Sequence, residues 1–231
     1  MKKLLFLLLV VGCTFAAKGV TFTEGDFTFS DEPWEVMSIE HEIDFPSDIN
    51  SWLPQIYVSS YNGTSEHVVI PSEVSYEGIS YEVSHIGPYA FCNNYNLKSV
   101  DLGSVAYIGM YAFSSCYSLS SVDLSQCRRI ASKAFLYAGL TSAYLLSAEY
   151  IGKSAFGHCF NLTDIYISPT CVLSNSPFTS CRSLKNIEGL KKEGDLYLRG
   201  DFGWNTTVIF VSRDARNVDL RGLYVDPGAL E

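Results

Sequence analysis

The side chains best suited to chemistry are the four histidines, and their spacing predicts neither a metal site nor a catalytic site. They are His41, His67, His85 and His158, which lie in four separate segments. His158 is followed by Cys159, but consecutive residues rarely face each other, and a nucleophile needs its base within hydrogen-bonding reach. No phosphate-binding loop or hydrolase motif is present in the sequence. We therefore expect no enzyme, no metal ligands and no cofactor.

An acidic cluster near the N-terminus is the other candidate for ligand chemistry. It consists of Glu35, Glu40, Glu42 and Asp44. Calcium loops of the EF-hand type need a fixed pattern of oxygen ligands, which this cluster lacks. A solvated acidic surface is the expected role.

A short phrase repeats five times between His85 and Leu190. It reads I-G-x-x-A-F and then L-x-x-V-x-L, and its copies begin at Ile86, Ile108, Ile130, Ile151 and Leu173. The steps between these residues are 22, 22, 21 and 22. A fixed period of this size is typical of a solenoid, in which each coil buries its apolar face against its neighbours. It is too short for two packed helices and favours one parallel strand plus one short helical or irregular turn per coil.

Each coil offers two sets of buried positions. The V-x-L pair, such as Val100 and Leu102, has the period of two expected for a strand, with the residue between pointing outward. The other half supplies one phenylalanine per coil, which predicts a stacked aromatic column: Phe91, Phe113, Phe135, Phe156 and Phe178. The glycine after the first isoleucine is replaced by Ala131 and Ser174 in two copies, which indicates tight packing rather than a left-handed backbone.

Three of the seven cysteines occupy one repeat position. Cys116, Cys159 and Cys181 each follow the repeat phenylalanine by three residues, and Asn94 and Ala138 fill this place in other copies. A position that accepts these residues selects for a small side chain, so buried and unpaired thiols are expected. Cys159 and Cys181 are one coil apart and could approach disulfide distance.

The phrase I-G-x-x-A-F-x-x-C-x-x-L-x-x-V-x-L resembles the BspA-like leucine-rich repeat family. The resemblance covers about residues 68–190. It implies a solenoid of leucine-rich repeats and a protein found at or outside the cell surface. Members of the family include adhesins for host matrix proteins, so the resemblance also implies a binding role.

The repeats divide the chain into five predicted segments. Residues 1–17 are typical of a secretory signal peptide, with Lys2 and Lys3 before a short apolar run. Cys13 offers an alternative as a lipid-anchored cysteine. Residues 18–65 predict a β-rich N-terminal cap, 66–190 the repeats, 191–217 a β-hairpin insert and 218–231 a final partial repeat. That partial repeat is either a minimal cap or the start of further coils.

Charge and composition narrow the class of partner. The net charge is −9, and no run of lysine or arginine occurs, so neither nucleic acid nor an anionic membrane is favoured. Charged residues make up only 18% of the chain and aromatic residues 14%, which predicts a packed core rather than disorder.

The outward strand positions form the predicted binding site. In successive coils they carry Asp101, Asp123, Tyr144, Tyr166 and Glu188. Tyrosine is enriched in binding surfaces because it combines contact area with a polar tip. We expect this strip to hold a protein partner, such as a host extracellular matrix or cell-surface protein. A plain solvated sheet face is the alternative, as are a stalk without a specific ligand and glycan binding or hydrolysis in the segment around Trp34 and Trp52.

Overall fold

A computed structural model of the chain describes residues 19–32, 56–174, 176–193, 196–199, 207–211 and 224–225, with side chains through residue 190. The predicted signal peptide with Cys13, the acidic cluster at residues 35–44 and both Trp34 and Trp52 lie outside the described residues. So does most of the predicted final partial repeat, residues 218–231.

The described residues form a β-solenoid of about five coils, and its coils start at the isoleucines or leucine of the repeated phrase. The strands before and within the first coil are β1 (Thr21–Glu24), β2 (Phe27–Ser30), β3 (Ile56–Tyr61), β4 (His67–Val69), β5 (Glu73–Tyr76), β6 (Ile79–Ile86) and β7 (Ser99–Asp101). The later coils contain β8 (Tyr107–Ile108), β9 (Ser121–Val122), β10 (Arg129–Ile130), β11 (Ser142–Leu145), β12 (Tyr150–Ile151), β13 (Asp164–Ile167), β14 (Val172–Leu173) and β15 (Asn186–Glu188). Four more follow: β16 (Lys191–Glu193), β17 (Leu196–Arg199), β18 (Thr207–Val211) and β19 (Tyr224–Val225).

The predicted V-x-L strands stack in parallel, one per coil. They form two three-stranded sheets, β4-β7-β9 and β11-β13-β15. The register matches equivalent residues, so Val100 lies opposite Val122 and Ile165 opposite Ile187. These inward residues are buried, which explains the alternation of apolar and polar residues in the sequence.

A second row of parallel strands was not predicted from the sequence. It consists of the two-residue strands β8, β10, β12 and β14, which end on the first residue of each repeated phrase. The row continues through β6 to β3, where Tyr57 lies opposite His85. Two residues are too few to show an alternating pattern, so only their constant place in the period could have indicated a strand.

The predicted helical turn is not confirmed, because the described residues contain strands and turns but no helix. Each turn half has two residues with positive φ four positions apart, such as Tyr111 at 57° and Ser115 at 61°. A left-handed residue cannot continue a right-handed helix. The backbone N–H groups instead donate to the next coil, as from Phe113 to the carbonyl of Ala134 at 2.8 Å.

The aromatic column is present as predicted. Neighbouring rings of Phe91, Phe113, Phe135 and Phe156 are stacked with centroids 4.9 to 5.3 Å apart. All four rings are fully buried, and Phe178 continues the column at a tilt of 34°. The column follows from the period itself, since each coil repeats the same residue at the same depth.

The glycine of the repeated phrase allows a close approach between coils. A Cβ atom on Gly152 would lie 2.5 Å from the backbone nitrogen of Ser132 in the preceding coil. The φ of Gly152 is not positive, so the prediction of tight packing rather than a left-handed backbone is confirmed.

Gly139 approaches the preceding coil more closely than Gly152 does, and it gives a test of the coil spacing. Its Cβ would lie 2.1 Å from the carbonyl oxygen of Tyr117, which is backbone and has little room to move. We expect Gly139→Ala to lower the free energy of unfolding by about 1 to 3 kcal/mol, as overpacking does. Chemical denaturation measures this. The exposed Gly78 is not a suitable control, because its φ of +77° would make an alanine strained. The matched control is Ser118→Ala in the preceding coil, because the side chain of Ser118 is exposed. Equal stability of both variants would contradict the tight contact.

The segment before the repeats pairs with the solenoid. The hairpin β1–β2 is antiparallel and joins β3, which pairs with β6 in parallel. The ring of Tyr61 in β3 stacks on the ring of Phe91, with centroids 5.0 Å apart, and the ring of Phe27 in β2 lies at the same distance from that of Tyr61.

After the repeats, β16, β17 and β18 are antiparallel neighbours, and β18 pairs with β19 in parallel. The domain boundaries on both sides remain predictions.

The cysteines of the repeat position are buried and unpaired, as predicted. The thiol of Cys159 donates to the carbonyl oxygen of Phe135 at 3.1 Å, and Cys181 does the same to Phe156 at 2.9 Å. Each of these hydrogen bonds joins a buried thiol to a backbone carbonyl oxygen in the neighbouring coil. A second buried column consists of Val105, Cys127, Ala148 and Cys171, so Cys127 and Cys171 also occupy one repeated position.

Candidate functional site

The five residues of the predicted strip all lie on the outer side of the solenoid. Asp101, Tyr144, Tyr166 and Glu188 belong to β7, β11, β13 and β15, and Asp123 directly follows β9. We call these five residues the strand strip. Tyr166 is half-buried and the other four are exposed.

The strand strip consists of two parts rather than one. Its strands lie in two sheets, and the ladder is interrupted between β9 and β11, where the N–H of Thr141 donates to the carbonyl oxygen of Ser120 at 3.4 Å. Asp101 and Asp123 belong to the first part. Tyr144, Tyr166 and Glu188 follow one another in register in the second part.

The two aspartates already have partners in their own turns. The carboxylate of Asp101 accepts the N–H of Gly103 at 3.0 Å, and that of Asp123 accepts the N–H of Ser125 at 2.9 Å. The bond from Ser125 lowers the pKa of Asp123 because it favours the charged carboxylate. These side chains therefore stabilise the bend after each strand, a role the sequence pattern did not reveal.

The two tyrosines form the central feature of the second part. Their rings are stacked with centroids 4.6 Å apart and an interplanar angle of 3°. The nearby Tyr144 hydroxyl raises the pKa of Tyr166, and the acidic Asp164 and Glu188 act in the same direction. At neutral pH Tyr166 therefore presents a neutral hydroxyl beside carboxylates.

One ion pair lies beside the first part of the strand strip, next to β7, and a second lies next to β10 in the other row of strands. Lys98 Nζ lies 2.7 Å from Glu66 Oε2, and Arg128 forms an ion pair with Glu149. Both pairs are exposed, so they contribute little to stability. The acidic groups that act on Tyr166 are Asp164, which accepts a hydrogen bond from the Thr163 hydroxyl, and Glu188.

The turn half of the solenoid carries aromatic side chains that the sequence reading did not assign to any surface. Tyr89 stacks on Tyr111 at 5.0 Å and Tyr95 on Tyr117 at 5.6 Å. In the later coils Tyr137 stacks on His158 at 4.6 Å. The sequence contained a signal for these stacks, because the two members of each stack are 21 or 22 residues apart, which is one repeat period.

His158 and Cys159 do not form a catalytic pair. Cys159 is fully buried, and burial raises the pKa of its thiol well above the usual range. A protonated thiol is a poor nucleophile. His158 lies on the outside against the ring of Tyr137.

A surface pocket of about 460 Å³ lies between the β1–β2 turn and β4. It is lined by Glu24, Gly25, Asp26, Phe27, Phe29, Tyr61, His67, Val68, Val69 and Pro71. Across the part of the chain that the structure describes, no three His, Cys, Asp or Glu residues are grouped so as to hold a metal ion. Within those same residues, no helix has the length and apolar character needed to cross a membrane.

The repeats match a known family. Six copies of the BspA type leucine rich repeat cover residues 72–185, just under half of the chain. No curated protein shows a significant sequence match to the chain.

Solved structures of bacterial proteins share the fold. A leucine rich repeat protein of T. pallidum is 24% identical with a TM-score of 0.51, over 59% of this chain and 75% of that one. A leucine-rich repeat protein from Bacteroides ovatus is 22% identical with a TM-score of 0.54, over 72% and 40%. The pneumococcal vaccine antigen PcpA is 15% identical with a TM-score of 0.52, over 84% and 56%. The chain thus spans about half the length of the last two proteins.

Proposed function

Because the repeat region of this chain, residues 72–185, belongs to the BspA type leucine rich repeat family, we propose that the protein binds a protein partner through the strand strip. Leucine-rich repeat proteins are generally interaction scaffolds, and their fold is typically non-enzymatic. The observation that carries the proposal is the stacked pair Tyr144 and Tyr166 at the surface, with Tyr144 exposed, Tyr166 half-buried and acidic side chains beside them.

The tyrosine pair has the properties of an interface anchor. Its two rings support each other at 4.6 Å, so little conformational freedom remains to be lost on binding. Tyrosines in such positions often dominate the binding energy of an interface. Asp164 and Glu188 beside them favour a partner with a basic surface and speed its approach.

The proposed partner is an extracellular protein. The support is the N-terminal sequence, with its basic start and short apolar run, together with the surface location of BspA-like proteins. A host extracellular matrix protein or a protein of a neighbouring cell is therefore the proposed ligand. Anchoring through a lipid on Cys13 is the alternative to plain secretion.

The test removes the tyrosine pair and measures binding to a panel of immobilised extracellular matrix proteins. We expect Tyr144→Ala with Tyr166→Ala to weaken binding by at least about 2 kcal/mol, the loss typical of an interface hot spot. Thermal melting should be unchanged because both side chains lie outside the core. The matched control is Tyr95→Ala with Tyr117→Ala, which removes another stacked and exposed tyrosine pair from the turn half.

The outcomes separate protein binding at the strand strip, protein binding elsewhere and a stalk function. A loss that is confined to the Tyr144 and Tyr166 variant supports the strand strip. An equal loss in both variants, or none in either, places the protein-binding site elsewhere. A wild-type protein that binds no member of the panel favours the alternative function, a stalk without a specific ligand. That alternative draws support from Asp101 and Asp123, whose carboxylates are already used in their own turns.

A further inference from the structure

The surface pocket between the β1–β2 turn and β4 has an acidic lining. Glu24 and Asp26 line it from the turn, and no lysine or arginine is among its lining residues. Both carboxylate side chains are exposed. Within the described part of the chain, the ion pairs involve Glu66 and Glu149 but neither of these two residues. The pocket therefore carries two negative charges that remain available to a ligand.

Aromatic rings form another part of the lining. Phe27 and Tyr61 are half-buried, and their ring centroids lie 5.0 Å apart at an interplanar angle of 46°. Phe29 also lines the pocket, is fully buried and lies 5.8 Å from Phe27. Tyr61 in turn stacks on Phe91, so these rings continue the aromatic column of the solenoid. Partly exposed rings beside carboxylates attract an organic cation, because the face of a ring is itself electronegative.

The carboxylate of Asp26 lies beside the ring of Tyr61. A Cβ atom on Gly63 would clash with Oδ2 of Asp26 and with the hydroxyl of Tyr61, so both groups approach the same glycine. A planar cation that rests on the ring of Tyr61 is therefore within reach of this carboxylate.

The backbone fixes the position of the acidic turn. Glu24 pairs with Phe27 across the hairpin β1–β2, so Gly25 and Asp26 form a two-residue turn. The carbonyl oxygen of Asp26 accepts the N–H of Asn62 at 2.9 Å, which ties the turn to the end of β3. Because the site is already formed, little conformational freedom is lost when a ligand binds.

The pocket is large enough for a side chain together with part of its backbone. Its volume of about 460 Å³ falls within the roughly 300 to 1,000 Å³ typical of ligand sites. On the opposite side from the turn its lining includes Val69, whose side chain is 66% exposed, and β4 is the edge strand of its sheet. An exposed apolar side chain beside the pocket offers a peptide a second contact.

The segment that connects β2 to β3 has no suitable cation of its own. Residues 33–55 contain neither lysine nor arginine. This connecting segment therefore has no permanently charged group to offer to the two carboxylates.

We propose that the pocket binds an arginine side chain of an extracellular protein partner, presented on an extended segment beside β4. The guanidinium pairs with Glu24 and Asp26 and rests on the rings of Phe27 and Tyr61, while the backbone of the segment passes Val69. Arginine fits better than lysine, because its planar guanidinium stacks on rings and binds a carboxylate through two N–H groups.

The pocket and the tyrosine pair of the strand strip are independent sites. The pocket lies before and beside the first coil, whereas Tyr144 and Tyr166 belong to the third and fourth coils. Binding in the pocket therefore does not require the strand strip to bind a protein.

A metal ion or an uncharged ligand fits the pocket less well. Calcium takes about six to eight oxygen ligands, whereas only two carboxylates line the pocket and most of the other lining residues are aromatic or apolar. An uncharged apolar ligand gains nothing from the two carboxylates.

The test is an NMR titration of the full chain with three short peptides. Each is a blocked pentapeptide with glycine ends and a central test residue between two valines. The test residue is arginine, lysine or citrulline, the uncharged analogue of arginine. We expect the arginine peptide to shift the amide signals of Gly25, Asp26, Gly63 and Val69, with at least tenfold higher affinity than the citrulline peptide and an intermediate affinity for lysine. Raising the salt concentration should weaken the binding.

Variants of the lining locate the site. Glu24→Gln with Asp26→Asn should weaken binding of the arginine peptide at least tenfold and leave that of the citrulline peptide unchanged. The matched control is Glu73→Gln with Glu82→Gln, which removes the same charge from an exposed cross-strand pair in β5 and β6. Phe27→Leu keeps an apolar side chain and should weaken binding about threefold, because only the face of the ring is lost. Circular dichroism and thermal melting verify that each variant is folded.

The outcomes decide the assignment. Tyr144→Ala with Tyr166→Ala should bind the arginine peptide as the wild type does, so failure of the strand strip and failure of the pocket are separate results. Equal affinity for the arginine and citrulline peptides overturns the proposal, and equal affinity for the lysine peptide overturns the assignment to arginine. An equal loss in the Glu73 and Glu82 control also overturns the proposal, as do unchanged amide signals at millimolar peptide.

Discussion

Replacing Phe135 with Ala is expected to lower the free energy of unfolding by about 3 to 5 kcal/mol, the usual cost of emptying a buried phenylalanine site. The ring lies in the middle of the aromatic column, 5.2 Å from Phe113 and 5.3 Å from Phe156, and none of it is exposed. The cavity would therefore lie between two coils. Because coils contact only their neighbours, the damage should be local at first.

Hydrogen exchange and denaturant unfolding together measure this effect. Amides of the coils around Phe113 and Phe156 should lose protection before those near Phe91 and Phe178. The matched control is Phe160→Ala, which removes the same side chain from a site where 45% of it is exposed. It should cost less than about 1 kcal/mol, as surface substitutions do. A Phe135 variant that keeps full protection in both neighbouring coils would contradict the stacked column.

Acid is expected to destabilise the protein through His85. Its side chain is only 8% exposed, and burial lowers the pKa from 6.5 to about 4. The ring stacks on Tyr107 at 4.6 Å, and its Nδ1 lies 2.8 Å from the hydroxyl of Ser84. Since the unfolded chain binds this proton more readily, stability is full above pH 6.5 and falls as the pH drops toward 4. The loss is about 3 kcal/mol at 1.36 kcal/mol per pKa unit.

The variant His85→Tyr isolates this contribution. Tyr57 and Tyr107 lie opposite His85 on the two neighbouring strands, so a third tyrosine suits the row. Urea denaturation between pH 7 and pH 4 gives the free energy of unfolding of the wild type and of the variant. The difference between the two removes the effect of the carboxylates, because these titrate in both proteins. His67→Gln serves as the control because its ring is exposed. A wild-type curve that runs parallel to that of His85→Tyr would contradict the prediction.

Some features could be predicted from the sequence because they repeat. The period of about 22 residues identifies equivalent places in every coil, and each place has one depth in a solenoid. The burial of Phe113, the outward direction of Tyr144 and the unpaired state of Cys159 all follow from that rule. The tight approach at Gly152 also follows, since alanine replaces it in another copy.

Other features were not predicted because they depend on backbone conformation or on contacts between coils. The repeated phrase does not indicate that Tyr111 and Ser115 have positive φ, because these residues usually avoid it. The turn half was therefore expected to be helical or irregular, and the described residues contain no helix there. Likewise, the carboxylates of Asp101 and Asp123 were assigned to binding, whereas both accept hydrogen bonds from their own turns.

By itself, then, the sequence determined the solenoid, its type of repeat and the inward and outward sides of each coil, because periodicity carries that information. Only the tertiary structure decided which outward side chains meet. Tyr144 reaches Tyr166, and Tyr137 reaches His158, across a step between coils. The close approach of Gly139 to the backbone of Tyr117 likewise lies in a coil that is one residue shorter than its neighbours. Such surfaces arise from the stacking of neighbours, and their shape depends on distances that a one-dimensional pattern does not contain.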